Sequence, residues 1–280
     1  MIYILFNPLS DNGHGRKDAA GLKKLEGRKK FYDITKINVR KLYMSLSETD
    51  EIIICGGDGT INRFVNDIYD IQKKVKIQCF KSGCGNDFAR DVAASFEGNF
   101  VLLNPFIKKL PKAFIKGKEY YFLNDIGFGL DGYCCEKGDE LKAKSRKRIN
   151  YSLIALQGLL YDYKNTNARI EVDGKVMYFS DCLMAPSMNG RYYGGGIKIA
   201  PEQMRNNPQG TVSLVVVHNV GKLRALSVFP KIYAGNHTKY KDIVTVMEGH
   251  HIKVEFDRPS PLQIDGETVS GVTEYEVFAG

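Results

Sequence analysis

The sequence predicts an α/β domain followed by a β-rich one. Three observations carry that expectation. Up to about residue 110, short apolar runs alternate with a helical stripe. Beyond Pro111 the segments become strand-like and closely spaced. The chain has 280 residues, 43% of them hydrophobic, enough for two packed cores.

Tyr3–Phe6, Glu51–Cys55 and Lys76–Phe80 read as strands, each running into a loop that contains Gly or Asn. Between the second and third, Ile61, Phe64, Val65 and Ile68 fall at i, i+3, i+4 and i+7. Asn62, Arg63, Asn66 and Asp67 lie off that stripe, the pattern of an amphipathic helix. Repeated strand, loop and helix imply a parallel sheet, whose ligands sit beyond the carboxyl ends of its strands. After the boundary, Tyr120–Asn124, Ala168–Val172, Val176–Ser180, Thr211–Val217, Asp242–Glu248, His251–Phe256 and Glu274–Phe278 are β-rich. One helix, about 148–163, interrupts them. The expected domains are 1–113, α/β, and 114–280, an antiparallel sandwich or barrel. The join falls in the Lys-studded segment 108–118.

Forty basic against thirty-two acidic residues leave a net charge of +8. That balance favours acidic partners, namely phosphorylated ligands, anionic lipid or nucleic acid, and does not choose among them. Six cysteines without C-x-x-C spacing, and an N-terminus without a signal-peptide pattern, predict reduced thiols and a cytoplasmic, soluble protein. The uncharged stretch 149–161 is too short to span a bilayer. The basic run Lys142–Arg148 lacks interleaved aromatics, which argues against nucleic acid. It adjoins the apolar helix, and that arrangement predicts transient docking on anionic membrane.

Gly56-Gly57-Asp58-Gly59-Thr60 joins a strand to the periodic helix. Glycines there let backbone N–H groups approach phosphate, Thr60 can cap the helix, and Asp58 can hold Mg²⁺ directly or through water. The competing reading is a plain tight turn. Lys81-Ser82-Gly83-Cys84-Gly85-Asn86-Asp87-Phe88-Ala89-Arg90 repeats the logic one strand later, with Arg90 within reach of a phosphate. Gln263-Ile264-Asp265-Gly266-Glu267 is first of all a hairpin turn, as is Asp173-Gly174, and spacing alone does not separate the two. Tyr193–Pro201, with Gly194, Gly195 and Gly196, reads as a structural bulge before it reads as a ligand contact.

Taken in order, Asn7-Pro8, Gly56–Thr60, Gly83–Arg90, Phe122-Leu123-Asn124 with Gly127, Gly194–Pro201, Gly235-Asn236-His237-Thr238 and Asp265-Gly266-Glu267 resemble the bacterial soluble diacylglycerol kinases. Their superfamily also holds sphingosine and ceramide kinases. The resemblance implies a nucleotide-binding α/β domain, a C-terminal β-sandwich and an active site in the cleft between them. It implies ATP and Mg²⁺ as cofactors. Asn7, Asp58, Gly59, Thr60, Asn86 and Glu267 would serve them, together with Gly56, Gly57, Gly83, Gly85, Asp87 and Arg90 of the two loops. Asp58 would be the metal-linked acid. Asp265 would take the proton from a lipid hydroxyl, most simply that of diacylglycerol. The implied partners are a lipid substrate at the membrane surface and the anionic membrane itself, with no nucleic acid and with room for a homodimer. Cys84 departs from the family's Thr or Ser. Asn206-Asn207-Pro208-Gln209-Gly210 lacks the acids of a structural metal site found in part of the family, so no tightly held Mg²⁺ is expected there. The alternatives are another lipid alcohol, such as a sphingoid base or ceramide, or NAD, or a non-catalytic membrane-binding relative.

Overall fold

The computed structural model describes residues 1–81, 86–144 and 149–280. It divides into two compact units, Met1–Lys109 and Leu110–Gly280. The first runs β1 (Ile2–Phe6), α1 (Ser10–Gly13), α2 (Gly15–Gly21), β2 (Lys29–Asp33), α3 (Val39–Ser45), β3 (Glu51–Cys55), α4 (Asp58–Ile68), β4 (Lys76–Phe80), α5 (Asp87–Asp91), β5 (Phe100–Leu102) and α6 (Asn104–Ile107). Its five-stranded sheet has the order β2-β1-β3-β4-β5. β1 to β4 are parallel and β5 closes the edge antiparallel. Ile52 to Cys55 of β3 are all buried, as a central strand covered on both faces requires. α4 buries the stripe Ile61, Phe64, Val65 and Ile68, and Phe64 meets Tyr43 of α3 edge-on. β1 has β2 on one side and β3 on the other, so the winding reverses between β1 and β3. That switch point is where a doubly wound sheet opens a crevice for a ligand. Asn7 and Gly56 are the residues that leave those two strands.

The second unit runs β6 (Lys112–Ile115), β7 (Lys118–Tyr121), β8 (Asp125–Gly129), α7 (Leu130–Lys144), α8 (Tyr151–Gln157, continued by a wider turn over Gly158–Asp162), β9 (Thr166–Val172), β10 (Lys175–Cys182), β11 (Met184–Met188), β12 (Val212–Val217), α9 (Lys222–Ile232), β13 (Val244–Gly249), β14 (His251–Ile264) and β15 (Glu267–Phe278). Its ten strands form one antiparallel system. β14 bends it: residues 252–256 pair with β9, whereas 262–264 pair with β8. Pro259 and Pro261 lie at the changeover, where proline withholds the ladder N–H. The folded sheet encloses Phe122, Phe128, Leu214, Val254 and Tyr275, all buried. A second core lies on the other face of β11 and β12, under α8 and α9. β12 is therefore buried throughout, with Leu214 and Val216 in the first core and Val215 and Val217 in the second. That two-sided burial explains its unbroken apolar run.

The structure departs from the sequence reading at several elements. Tyr120–Asn124 is not one strand: β7 stops at Tyr121, residues 122–124 form a link, and β8 begins at Asp125. The helix expected over 148–163 starts at Tyr151, capped by Asn150, whose side chain accepts from the Leu153 N–H; Arg148 lies outside the described residues. α7 and α9 carry no clear sequence signal. α7 contains Gly132 and Gly138, which lower helix propensity. Both are needed by packing: a Cβ on Gly132 would stand 2.1 Å from the Pro261 carbonyl oxygen, and one on Gly138 would stand 2.6 Å from the Tyr151 ring. Gly132→Ala is expected to lower unfolding free energy by about 1–3 kcal/mol or more, because backbone must move to relieve the contact. Urea unfolding measures this, and an unchanged midpoint would show that α7 can ride away from β14 without cost.

Candidate active site

In the first unit the carboxyl ends of β1 and β3 are locked by Asn7. Its backbone N–H donates to the Cys55 carbonyl at 3.1 Å, and its Nδ2 donates to Thr60 Oγ1 at 3.1 Å. Its Oδ1 accepts from the Leu9 N–H, and its carbonyl oxygen from the Ser10 hydroxyl. Gly56 is required by this packing, since an added Cβ would lie 2.6 Å from the Thr60 side chain. Thr60 is three residues inside α4 and does not cap it. The cap is Gly57, which offers no side-chain acceptor and faces open space. The start of this 11-residue helix thus presents backbone donors and a positive dipole end to whatever approaches, a fit for phosphate.

Asp58 has a function that spacing did not reveal. Its Oδ2 accepts from the Asp87 N–H at 2.7 Å and its Oδ1 from the Phe88 N–H at 3.1 Å. It ties the first glycine loop to the start of α5. Asn86 caps the same helix through Oδ1, which accepts from the Ala89 N–H at 2.7 Å. Its buried Nδ2 has no partner among the described residues. Asp58 is the carboxylate of this loop, the ligand type that Mg²⁺ or a metal-bound water takes. Asp87 is buried and Arg90 is exposed in the last turn of α5. Gly83 and Gly85 lie outside the described residues. Asn7, Gly56, Gly57, Asp58, Gly59, Thr60, Asn86 and Asp87 are brought together within this unit.

In the second unit both Asp-Gly pairs form the same hairpin turn, with φ of 44° and 86° at Asp265-Gly266 and 48° and 82° at Asp173-Gly174. Their carboxylates differ. Asp173 is half-exposed, and its Oδ1 alone can serve both N–H donors it receives, His250 at 3.0 Å and His251 at 2.8 Å. Asp265 is buried and uses both oxygens on different donors. Oδ2 accepts from the Leu123 N–H at 2.5 Å, while Oδ1 accepts from Asn124 at 2.6 Å and Asp125 at 3.1 Å. The link 122–124 is also held through its other polar groups. Arg205 donates to the Leu123 carbonyl and to Asn124 Oδ1, and Asn189 donates to the Leu123 carbonyl at 2.9 Å. In the nearby loop Asn207 spends its amide on Thr211. Glu267 is exposed at the first position of β15.

Beneath Asp265 lies a buried acidic group that the sequence reading missed. Gln263 donates through Nε2 to Asp125 and, at 3.4 Å, to Asp131 Oδ2; its Oε1 accepts from the Gly266 N–H. Asp125 follows directly on Phe122–Asn124, a signal that was within reach. Asp131 sits in the first turn of α7, an element without one. Burial raises the Asp131 carboxyl from its ordinary 3.8 to about 6. The folded state therefore holds this proton more tightly than the unfolded chain, and stability falls as pH rises from about 4 to about 6. Asp131→Asn is expected to be more stable than wild type at pH 7, with the difference gone near pH 4. Thermal unfolding across that range tests it; a difference independent of pH would assign the effect to packing.

The two units carry separate family signatures. Residues 1–107 match the diacylglycerol kinase catalytic domain and residues 124–277 the YegS C-terminal NAD kinase beta sandwich-like domain. The chain belongs to the diacylglycerol kinase-like, YegS-like lipid kinase family, whose members are kinases and use ATP. It is similar to the putative lipid kinase YtlR of Bacillus subtilis, at 27% identity over 248 residues, 81% of this chain and 76% of that protein. The diacylglycerol kinase of the same organism is 25% identical over 229 residues, 80% of this chain and 73% of that one. In fold it is similar to a putative diacylglycerol kinase from Bacillus anthracis, with a TM-score of 0.70 at 19% identity, covering 99% and 91% of the two chains. Among the described residues no helix is long and apolar enough to cross a membrane.

Proposed function

We propose that the protein transfers the γ-phosphoryl group of ATP to the free hydroxyl of diacylglycerol, giving phosphatidic acid and ADP. The observation that carries this reading is the contrast between the two Asp-Gly turns: both carboxylates accept backbone N–H groups on both oxygens, but only Asp265 is buried, with its oxygens divided among three separate donors. A carboxylate so oriented is suited to take a proton from an attacking hydroxyl. In this reading the start of α4 and Asn86 receive the nucleotide phosphates, and Asp58 would hold Mg²⁺. The metal, when bound, neutralises charge on the phosphates. The lipid oxygen forms the new bond to phosphorus, the bond to the β-phosphate oxygen breaks, and the hydroxyl proton passes to Asp265. Asn7 and Thr60 keep the two strand ends in register, and Glu267 serves the nucleotide side.

The deciding experiment offers γ-labelled ATP with Mg²⁺ to the protein together with diacylglycerol, a sphingoid base, ceramide, NAD or water alone. Label is expected in phosphatidic acid. Label in another lipid would move the substrate within the class, and label in NAD alone would overturn the lipid reading.

A further inference from the structure

α8 and α9 lie side by side. Ser152 Oγ and Tyr233 OH are 2.9 Å apart at one end, and Lys222 Nζ donates to the Leu160 carbonyl at the other. Both helices bury one side in the same core, through Ile154, Ala155 and Leu159 and through Ala225 and Val228. Their opposite sides therefore face outward together. The outward side of α8 carries Leu153 and Leu156, and that of α9 carries Leu223 among Lys222, Arg224, Ser227 and Lys231, an apolar strip set in a basic border on helices whose solvent side is ordinarily polar throughout. Leu223 is 85% exposed, Tyr161 78% and Leu153 51%, and Tyr151, Leu156 and Tyr233 are exposed beside them. Single exposed leucines are commonplace, but three leucines and three tyrosines exposed on two adjacent helices and their ends mark an interaction surface.

The charge around the patch identifies the partner. Residues 222–242 contain five Lys or Arg and one acid, Asp242, which is paired with Arg224. Lys222, Lys231, Lys239 and Lys241 remain as a basic border, with Lys231 over the Tyr240 ring at 4.7 Å. Leucine and tyrosine on a shallow helical face with a lysine rim is the composition that seats at an anionic lipid interface. Of the run Lys142–Arg148, residues 145–148 lie outside the described residues, and Lys142 is bound to Asp139 at 3.0 Å.

We propose that the outer face of α8 and α9 is the surface by which this protein docks on anionic bilayers. The choice of a bilayer as occupant rests on the lipid-kinase reading, so the test separates the two. Sedimentation with vesicles of phosphatidylcholine, with and without phosphatidylglycerol, is measured without ATP or diacylglycerol. Wild type is expected to bind the anionic vesicles and to release with salt. Leu153→Ser/Leu223→Ser is expected to bind about tenfold more weakly or worse, from loss of two leucines that insertion would bury in the bilayer, and Lys239→Gln/Lys241→Gln to lose mainly the dependence on anionic lipid. Thermal unfolding of both variants should match wild type, as the sites are on the surface. With dispersed short-chain diacylglycerol both should retain wild-type turnover, and with diacylglycerol in vesicles both should fall. Leucine-variant binding equal to wild type overturns the docking face whether or not the protein is a kinase. Vesicle binding lost in the variant, from a protein without kinase activity on any lipid, supports the face and overturns the kinase reading instead. A wild-type dimer in sedimentation equilibrium that the leucine variant dissociates, with vesicle binding intact, reassigns the face to a second copy of this chain.

Discussion

Asp265→Asn is expected to lower kcat by about 10²–10⁴, the range a positioned general base contributes, and to lower stability as well. Asparagine has one acceptor oxygen, and the Asp265 carboxylate uses two, one for Leu123 and the other for Asn124 and Asp125. In either orientation the Nδ2 group meets a buried N–H, which costs about 1–3 kcal/mol. Asp173→Asn is the matched control. Its Oδ1 already serves both His250 and His251, so an amide can turn its oxygen there and keep both bonds. Little change in midpoint or rate is expected from it. Because Asp265 orders the link 122–124 and, in the proposed reaction, also accepts the proton, a second variant is needed. Asn189→Ala loosens the same link from its carbonyl side, by removing the donor to Leu123, with no change of charge. It is expected to cost less than about tenfold in kcat, well below a general-base effect. If it costs as much as Asp265→Asn, order in the link accounts for the activity and Asp265 is not the base.

The second large effect is expected at Asp58. Asp58→Asn can satisfy Asp87 or Phe88 but not both, so the start of α5 comes away from the first glycine loop. A hydrogen bond to a charged acceptor contributes about 1.5–3 kcal/mol, and the KM for ATP should rise by roughly ten- to a hundredfold. Titration with Mg²⁺ distinguishes the observed anchoring by this side chain from the proposed metal binding. If anchoring dominates, excess Mg²⁺ leaves the KM high. If excess Mg²⁺ restores wild-type kinetics, metal binding dominates and the tie between the loops is secondary.

The local signals in this sequence are reliable where an element has one buried side and a simple period. The stripe Ile61, Phe64, Val65, Ile68 predicts α4, and the apolar runs after Met1 and Asp50 predict β1 and β3. The loops that follow these strands could be read as phosphate-binding because strand–glycine–helix order is itself local. α7, α9 and β8 are different. Their sequences carry Gly132 and Gly138, Pro230, and Gly127 and Gly129, residues that argue against helix or strand by propensity. The glycines are there because a neighbour comes too close for a side chain, Pro261 at Gly132 and Pro186 at Gly127, and such neighbours are far away in sequence.

Sequence alone determined the order of the motifs, the α/β first half, the strand-rich second half and the family resemblance. Tertiary structure decided which Asp-Gly turn carries a buried carboxylate, since Asp173 and Asp265 have the same local conformation and differ only in what surrounds them. It also decided that Asp58 bridges two loops, that Asp125 and Asp131 are buried together around Gln263, and that α8 and α9 face outward with leucine. The physical reason is the same in each case. Turn type and periodicity depend on a few neighbouring residues, whereas burial, hydrogen-bond partners and the ionisation of a carboxyl depend on groups that only the folded chain brings within a few ångströms.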